Sequence, residues 1–419
     1  MKTVCIIGAF DTKGEDHAFL REQILANSLQ VVTVNIGVLG STSLFPVDFE
    51  GDAVLATGGL GIAAYRARKD KSEAMKAFAT CIPEFVRQLF DQGRFDGIVG
   101  MGGSGGSSII AAGMRALPIG VPKLLVSTVA SGDVSFYVRG KDITMTPSIV
   151  DVAGLNRISR VIYSRAAGAI SGMVSMEPPP RSDDRPIIVA SMFGNTTDCV
   201  DACVKAVKQH GYEVLVFHAT GAGGRAMETL VMDGLVEGVL DITTTELADE
   251  LCQGVFSAGP ERLDAAGRTG LPHLIVPGCV DMANFGAPNT VPEKYRQAKR
   301  LFYEWNPSVT LMRTNTEENR QMGKIFAEKA NAAKGPVAFL LPLRGVSMLD
   351  GDDQPFCDRV ADQAMFDAIK HHVRADIPIE ELDANINDPV FAAKAVEMML
   401  DLLQRKISSS KISQSTRAL

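Results

Sequence analysis

The chain has 419 residues, of which 46% are hydrophobic and 22% charged, and a formal net charge of −7. That length and apolar content supply two hydrophobic cores rather than one. The acidic balance, with no basic run and no interleaving of aromatic with basic residues, excludes the electrostatic footprint of a nucleic-acid binder.

Apolar runs stop at Pro or Gly far short of a bilayer span, so no membrane association is expected. The seven cysteines form no Cys-x-x-Cys pair, which fits reduced thiols and a cytoplasmic location. Six histidines include no His-Glu-x-x-His pair, so no dedicated metal site is expected.

In chain order, Thr3 to Phe10 reads as a buried strand, followed by Asp11-Thr12-Lys13-Gly14 and a helix through Phe19, Leu20 and Ile24. Asp11 and Thr12 suit either a helix cap beside a solvated lysine or a ligand site at a strand end. Val31 to Ile36 is a second strand, and Ser72 to Phe90 a helix. Phe95 to Gly100 then leads into Met101-Gly102-Gly103-Ser104-Gly105-Gly106-Ser107-Ser108 and a helix beginning near Ile109. Glycines without Cβ atoms let backbone N–H groups converge, and the helix N-terminus behind them adds partial positive charge, so this turn can cradle a phosphate. A tight crossover that needs glycine only for packing would use the same residues. The loop lacks a Walker lysine; Lys13 would supply the missing charge. Lys123 to Ser127 is the next strand. It ends without the acidic ribose partner of a dinucleotide site, and its following loop holds Ser131 among hydroxyls that suit phosphate or loop backbone equally.

Met176 to Asp184 is rich in proline and polar residues and cannot continue a helix or strand, which sets a linker at 178–184 between domains of residues 1–177 and 185–407. The pattern then restarts. Pro186 to Phe193 is a strand with a polar turn after it, and Tyr212 to Phe217 leads to Gly221-Ala222-Gly223-Gly224-Arg225, a second glycine turn opening a helix, where an anion could again sit. Thr243 and Glu246 have capping-box spacing. After His273 to Val276, Asp281 and Asn284 suit ligand hydroxyls or ordinary Asx turns. After Pro336 to Leu341, Arg344 with Asp350, Asp352 and Asp353 suits phosphate and Mg²⁺ or a solvated acidic turn. Residues 408–419 read as a polar tail. Strands alternating with helices predict two Rossmann-like α/β domains, each a mainly parallel sheet flanked by helices.

Phe10-Asp11-Thr12-Lys13-Gly14-Glu15, Gly100 to Gly106, Asp142-Ile143 with Ser148 to Asn156, and Pro277-Gly278-Cys279-Val280-Asp281 together resemble the ATP-binding domain family of the tomato mosaic virus resistance protein and its uncharacterised bacterial relatives. The resemblance runs from Met1 to about Arg405. It implies two Rossmann-like domains and a homodimer that binds ATP mainly through the N-terminal half; Mg²⁺ is expected to accompany the nucleotide. By motif it places Asp11, Thr12 and Lys13 at the nucleotide and Gly102, Gly103, Ser104, Gly105, Gly106 and Ser107 around its phosphates. Two other readings stay open. One is a metabolic enzyme holding a small anionic substrate in an interdomain cleft, between Asp11, Arg225, Asp281 and Arg344. The other is a regulatory or scaffold dimer stabilised by ATP.

Overall fold

The computed structural model of the chain describes residues 1–68, 70–177 and 185–417, in two compact units, Met1–Arg181 and Ser182–Leu419. The linker expected at 178–184 lies outside the described residues.

The first unit runs β1 (Thr3–Gly8), α1 (Phe10–Ala26), β2 (Gln30–Asn35), α2 (Gly51–Ala56), α3 (Ile62–Arg68), α4 (Lys71–Asp91), β3 (Gly97–Gly102) and α5 (Ser104–Arg115). It continues with β4 (Lys123–Ser127), α6 (Ser135–Val138), β5 (Thr144–Pro147) and α7 (Arg157–Ser175). Its five strands are all parallel and lie in the order β2-β1-β3-β4-β5. Successive strand residues face opposite sides, so a sheet covered on both faces needs unbroken apolar strands. Val4 and Ile6 accordingly pack with α1 and α7, and Cys5 and Ile7 with α4 and α5.

The second unit runs β6 (Ile187–Met192), α8 (Thr197–Gln209), β7 (Glu213–His218), α9 (Ala222–Met232), β8 (Gly238–Thr243), α10 (Thr245–Cys252), α11 (Asp264–Thr269) and β9 (His273–Gly278). Next come β10 (Met282–Phe285), α12 (Glu293–Gln297), β11 (Phe302–Asn306), β12 (Val309–Arg313), α13 (Thr316–Asn331), β13 (Val337–Pro342), α14 (Arg359–His372), β14 (Ile379–Leu382) and α15 (Pro389–Arg417). A parallel six-stranded sheet has the order β14-β13-β9-β8-β6-β7, and an antiparallel three-stranded sheet β10-β12-β11 is inserted after β9. The segment expected as a polar tail is helical as far as Arg417.

Both large sheets therefore follow a doubly wound plan in which the first strand of each unit lies between the second and third. Chain direction across the sheet reverses beside that first strand, between β1 and β3 in one unit and β6 and β8 in the other. Loops leaving the carboxyl ends of two such strands turn to opposite faces and open a crevice.

Candidate functional site

The crevice of the first unit is a cavity of about 460 Å³ at the ends of β1 and β3. Gly102, Gly103, Ser104, Gly105 and Gly106 form one wall. Gly103 is extended, with φ −77° and ψ −174°, and no side chain caps α5. The first-turn amides have no acceptor within the helix, and the helix dipole adds positive potential at this end. A Cβ on Gly106 would meet no atom within 4 Å, so the space beside it is open.

Asp11, Thr12 and Lys13 form the facing wall. The expected cap is not what they make: α1 begins at Phe10 without a side-chain cap, and Lys13 interrupts its first turn at φ −132° and ψ 30°. Asp11 Oδ2 accepts the Leu39 N–H at 2.7 Å, while Oδ1 is buried with no partner. The Lys13 ammonium donates to the carbonyl of Val152, a neutral acceptor, and makes no ion pair with a described residue. His17, one turn along α1, is wholly buried. Its Nδ1 donates to the Lys13 carbonyl at 2.8 Å, and burial holds its pKa down at about 4.

Several lining residues had no signal in the sequence. Lys71, the first residue of α4, reaches the cavity and makes no ion pair with any described residue; Asp151 stands at it too. Ile36, Val38 and Leu39 after β2, with Met75 and Ile109, supply an apolar side. Only the fold brings residues 11, 39, 71, 103 and 151 together. Ser107 turns away: its hydroxyl donates to the Gly102 carbonyl at 3.2 Å and shares a hydrogen with Ser127 Oγ at 2.6 Å. Ser131 is exposed outside the cavity. At the end of β2, the Asn35 amide is engaged by Phe10, Gly37, Gly40 and Glu50, so it is not free to bind a ribose hydroxyl.

The glycine turn of the second unit differs in one decisive respect. Glu246 Oε1 accepts the amides of Gly221 at 2.7 Å and Gly224 at 3.1 Å, so the protein's own carboxylate occupies that cradle. This also corrects the capping box: no side chain caps α10, Glu246 faces the turn, and Thr243 Oγ1 pairs with Thr196 Oγ1. Arg262, fully buried, binds Glu246 at 2.6 Å, Asp241 through both terminal nitrogens and Glu228 at 3.1 Å. Burial alone would raise the Asp241 carboxyl, but the Arg262 guanidinium outweighs it and holds the group well below the usual range.

The remaining candidates have partners within the second unit. Arg225 donates to the Ser257 carbonyl at 2.8 Å, and Arg344 pairs with Asp352. Asn284 donates to Asp249 at 2.6 Å in a buried link. Asp281 accepts from Ser347 Oγ at 2.8 Å; burial raises its pKa to about 6. Among the described residues no group of three or more His, Cys, Asp or Glu side chains is placed to hold a metal. None of their helices is long and apolar enough to cross a membrane.

Comparison with known proteins adds relatives. The chain is 43% identical over 405 residues to a UPF0261 protein of Clostridium tetani, covering 96% of this chain and all of that one. It is 35% identical over 422 residues to the ToMV resistance protein Tm-1(GCR237) of Solanum lycopersicum, covering 95% of this chain and 55% of that protein. Among solved structures it is similar to UDP-N-acetylglucosamine 2-epimerase from Rickettsia bellii at 10% identity, with 97% of this chain and 96% of that one covered and a TM-score of 0.23, a likeness that carries no argument about function. Residues 2–179 match the N-terminal domain and residues 185–403 the C-terminal domain of an uncharacterised protein family, and the chain belongs to that family, UPF0261.

Proposed function

We propose that the N-terminal domain binds a nucleoside polyphosphate, ATP with Mg²⁺, in the cavity between β1 and β3. One contrast carries the reading: the glycine turn of the C-terminal domain is filled by Glu246, whereas that of the N-terminal domain opens onto a cavity whose charged lining is Lys13, Lys71, Asp11 and Asp151. Phosphates accept from the first-turn amides of α5, with Lys13 and Lys71 offsetting their charge. The base lies against Ile36, Val38, Leu39 and Met75, and Mg²⁺ arrives on the phosphates, since such ions commonly take only one or two protein carboxylates. Asp11 Oδ1, buried and unpartnered, is the acceptor available to a ligand hydroxyl or a magnesium-bound water.

The proposal includes a cytoplasmic homodimer. All seven cysteines are free thiols, six of them buried, as a reducing compartment requires. The dimer comes from the resemblance to the ATP-binding family, and light scattering on the purified chain measures it directly. Calorimetric titration with Mg-ATP, Mg-ADP and adenosine tests the ligand: affinity falls in that order, and adenosine binding as tightly as ATP contradicts a phosphate cradle.

A further inference from the structure

At the carboxyl ends of the second unit's large sheet, five loops meet in a buried polar floor. Asn195 and Thr196 follow β6, Thr243 ends β8, Cys279 and Asp281 follow β9, Ser347 follows β13, and Asn387 follows β14. Hydrogen bonds join them: Thr196 Oγ1 to Thr243 Oγ1 at 2.7 Å, Ser347 Oγ to Asp281 Oδ2 at 2.8 Å, and both Asn387 Nδ2 and the Met348 N–H to the Asn195 carbonyl at 3.0 and 3.1 Å. Cys279 is held at φ 58°, a left-handed conformation that non-glycine residues adopt chiefly at functional sites and turns.

Three oxygens of this floor accept no hydrogen bond: Oδ1 of Asn195, of Asp281 and of Asn387. Asn195 and Asp281 are 1% and 0% exposed, where an unmet acceptor is costly. The amide orientations follow from their partners. Asn387 Nδ2 faces a carbonyl, and Asn195 Nδ2 faces the Met282 thioether sulfur at 3.4 Å; both partners only accept, so each amide oxygen points elsewhere. Gly194 and Met348, next in sequence to Asn195 and Ser347, are exposed, and Trp305 Cζ2 lies 3.9 Å from the position a Cβ on Gly194 would take. Trp305 is 43% exposed, which leaves part of an aromatic surface free at the rim.

We propose that this floor is a second binding site, independent of the nucleotide cavity, that takes a small neutral ligand rich in hydroxyl groups. Hydroxyls donate to the three unpartnered oxygens, and the carbon face of the ligand packs against Trp305.

Trp305 is the single tryptophan of the chain, so its emission reports this rim alone. The full-length protein is titrated with myo-inositol, D-glucose and glycerol, following tryptophan emission with calorimetry in parallel. The expected result is a saturable change with a ring polyol, and a Kd raised at least about fivefold in both Asp281→Asn and Asn387→Ala. Asn387 is only partly buried, so its variant tests the site even where Asp281→Asn fails to fold. No saturable change with any of the three probes overturns the proposal. So do equal Kd values in the wild type and the variants, or a polyol-soaked crystal with only ordered water on the three oxygens.

Discussion

Asp11 Oδ2 accepts the backbone N–H of Leu39 at 2.7 Å, and this one bond ties the loop after β1 to the loop after β2 across the mouth of the cavity. It fixes the carboxylate so that Oδ1 is buried without a donor. If that oxygen holds a magnesium-bound water, Asp11→Asn weakens Mg-ATP by about tenfold and leaves ATP in EDTA nearly unchanged, since removing charge from a metal contact costs more than altering a neutral hydrogen bond. Parallel titrations with and without Mg²⁺ measure the difference; an equal loss in both assigns Asp11 to the ribose or to the loop.

Lys71 stands at the cavity without an ion pair among the described residues, so its charge is available to the phosphates. Lys71→Ala weakens Mg-ATP by about three- to tenfold at low ionic strength, and the gap narrows toward 0.5 M salt as screening shortens the reach of an exposed charge. A salt-independent effect, or none, removes Lys71 from the phosphate end.

His17 sets an acid limit on the N-terminal domain. Burial holds its folded pKa at about 4, below the ordinary value of 6.5. A depressed folded pKa gives stability that is complete above the unfolded value and lost as pH falls through the folded one, so the loss runs from about pH 6.5 to about 4. Amide exchange along α1 accelerates across that window, and His17→Gln flattens the dependence. An unchanged profile in the variant shows that other groups drive the acid response.

Arg262 is buried among Asp241, Glu246 and Glu228. Arg262→Met leaves these carboxylates without their cation and destabilises the C-terminal domain by about 3–5 kcal/mol, because an uncompensated buried charge costs more than the pair contributes. Urea midpoints with the slope held constant report the change. A loss below about 1 kcal/mol means that protonation of the cluster, toward which burial already raises Glu228, absorbs the substitution.

Much of the architecture was legible because its signals are local. Apolar runs such as Val4 to Ile7 and Leu124 to Val126 are covered on both faces, and such strands can be read without knowing their neighbours. The antiparallel insert β10-β12-β11 was not foreseen: Tyr303, Glu304 and Trp305 are exposed and carry no burial pattern to mark a strand. In the site, the Asp11 loop and the Gly102 turn were legible because both end strands in the same sheet. Lys71 was not, since its place depends on how α4 packs, and the role of Glu246 was misread because spacing toward Thr243 concealed a partner 25 residues away at Gly221.

Gly106 offers the most direct test of the nucleotide cradle. It lines the cavity in the first turn of α5, and a Cβ there meets nothing within 4 Å. Alanine also favours helix over glycine by up to about 1 kcal/mol, so Gly106→Ala leaves folding intact or improved while placing a methyl group in the phosphate space. Calorimetric titration of the wild type and Gly106→Ala with Mg-ATP, beside their melting curves, separates ligand from fold. The account predicts saturable binding to the wild type and at least about tenfold weaker binding to an equally stable variant; no binding to the wild type, or equal affinity in the two proteins, contradicts it.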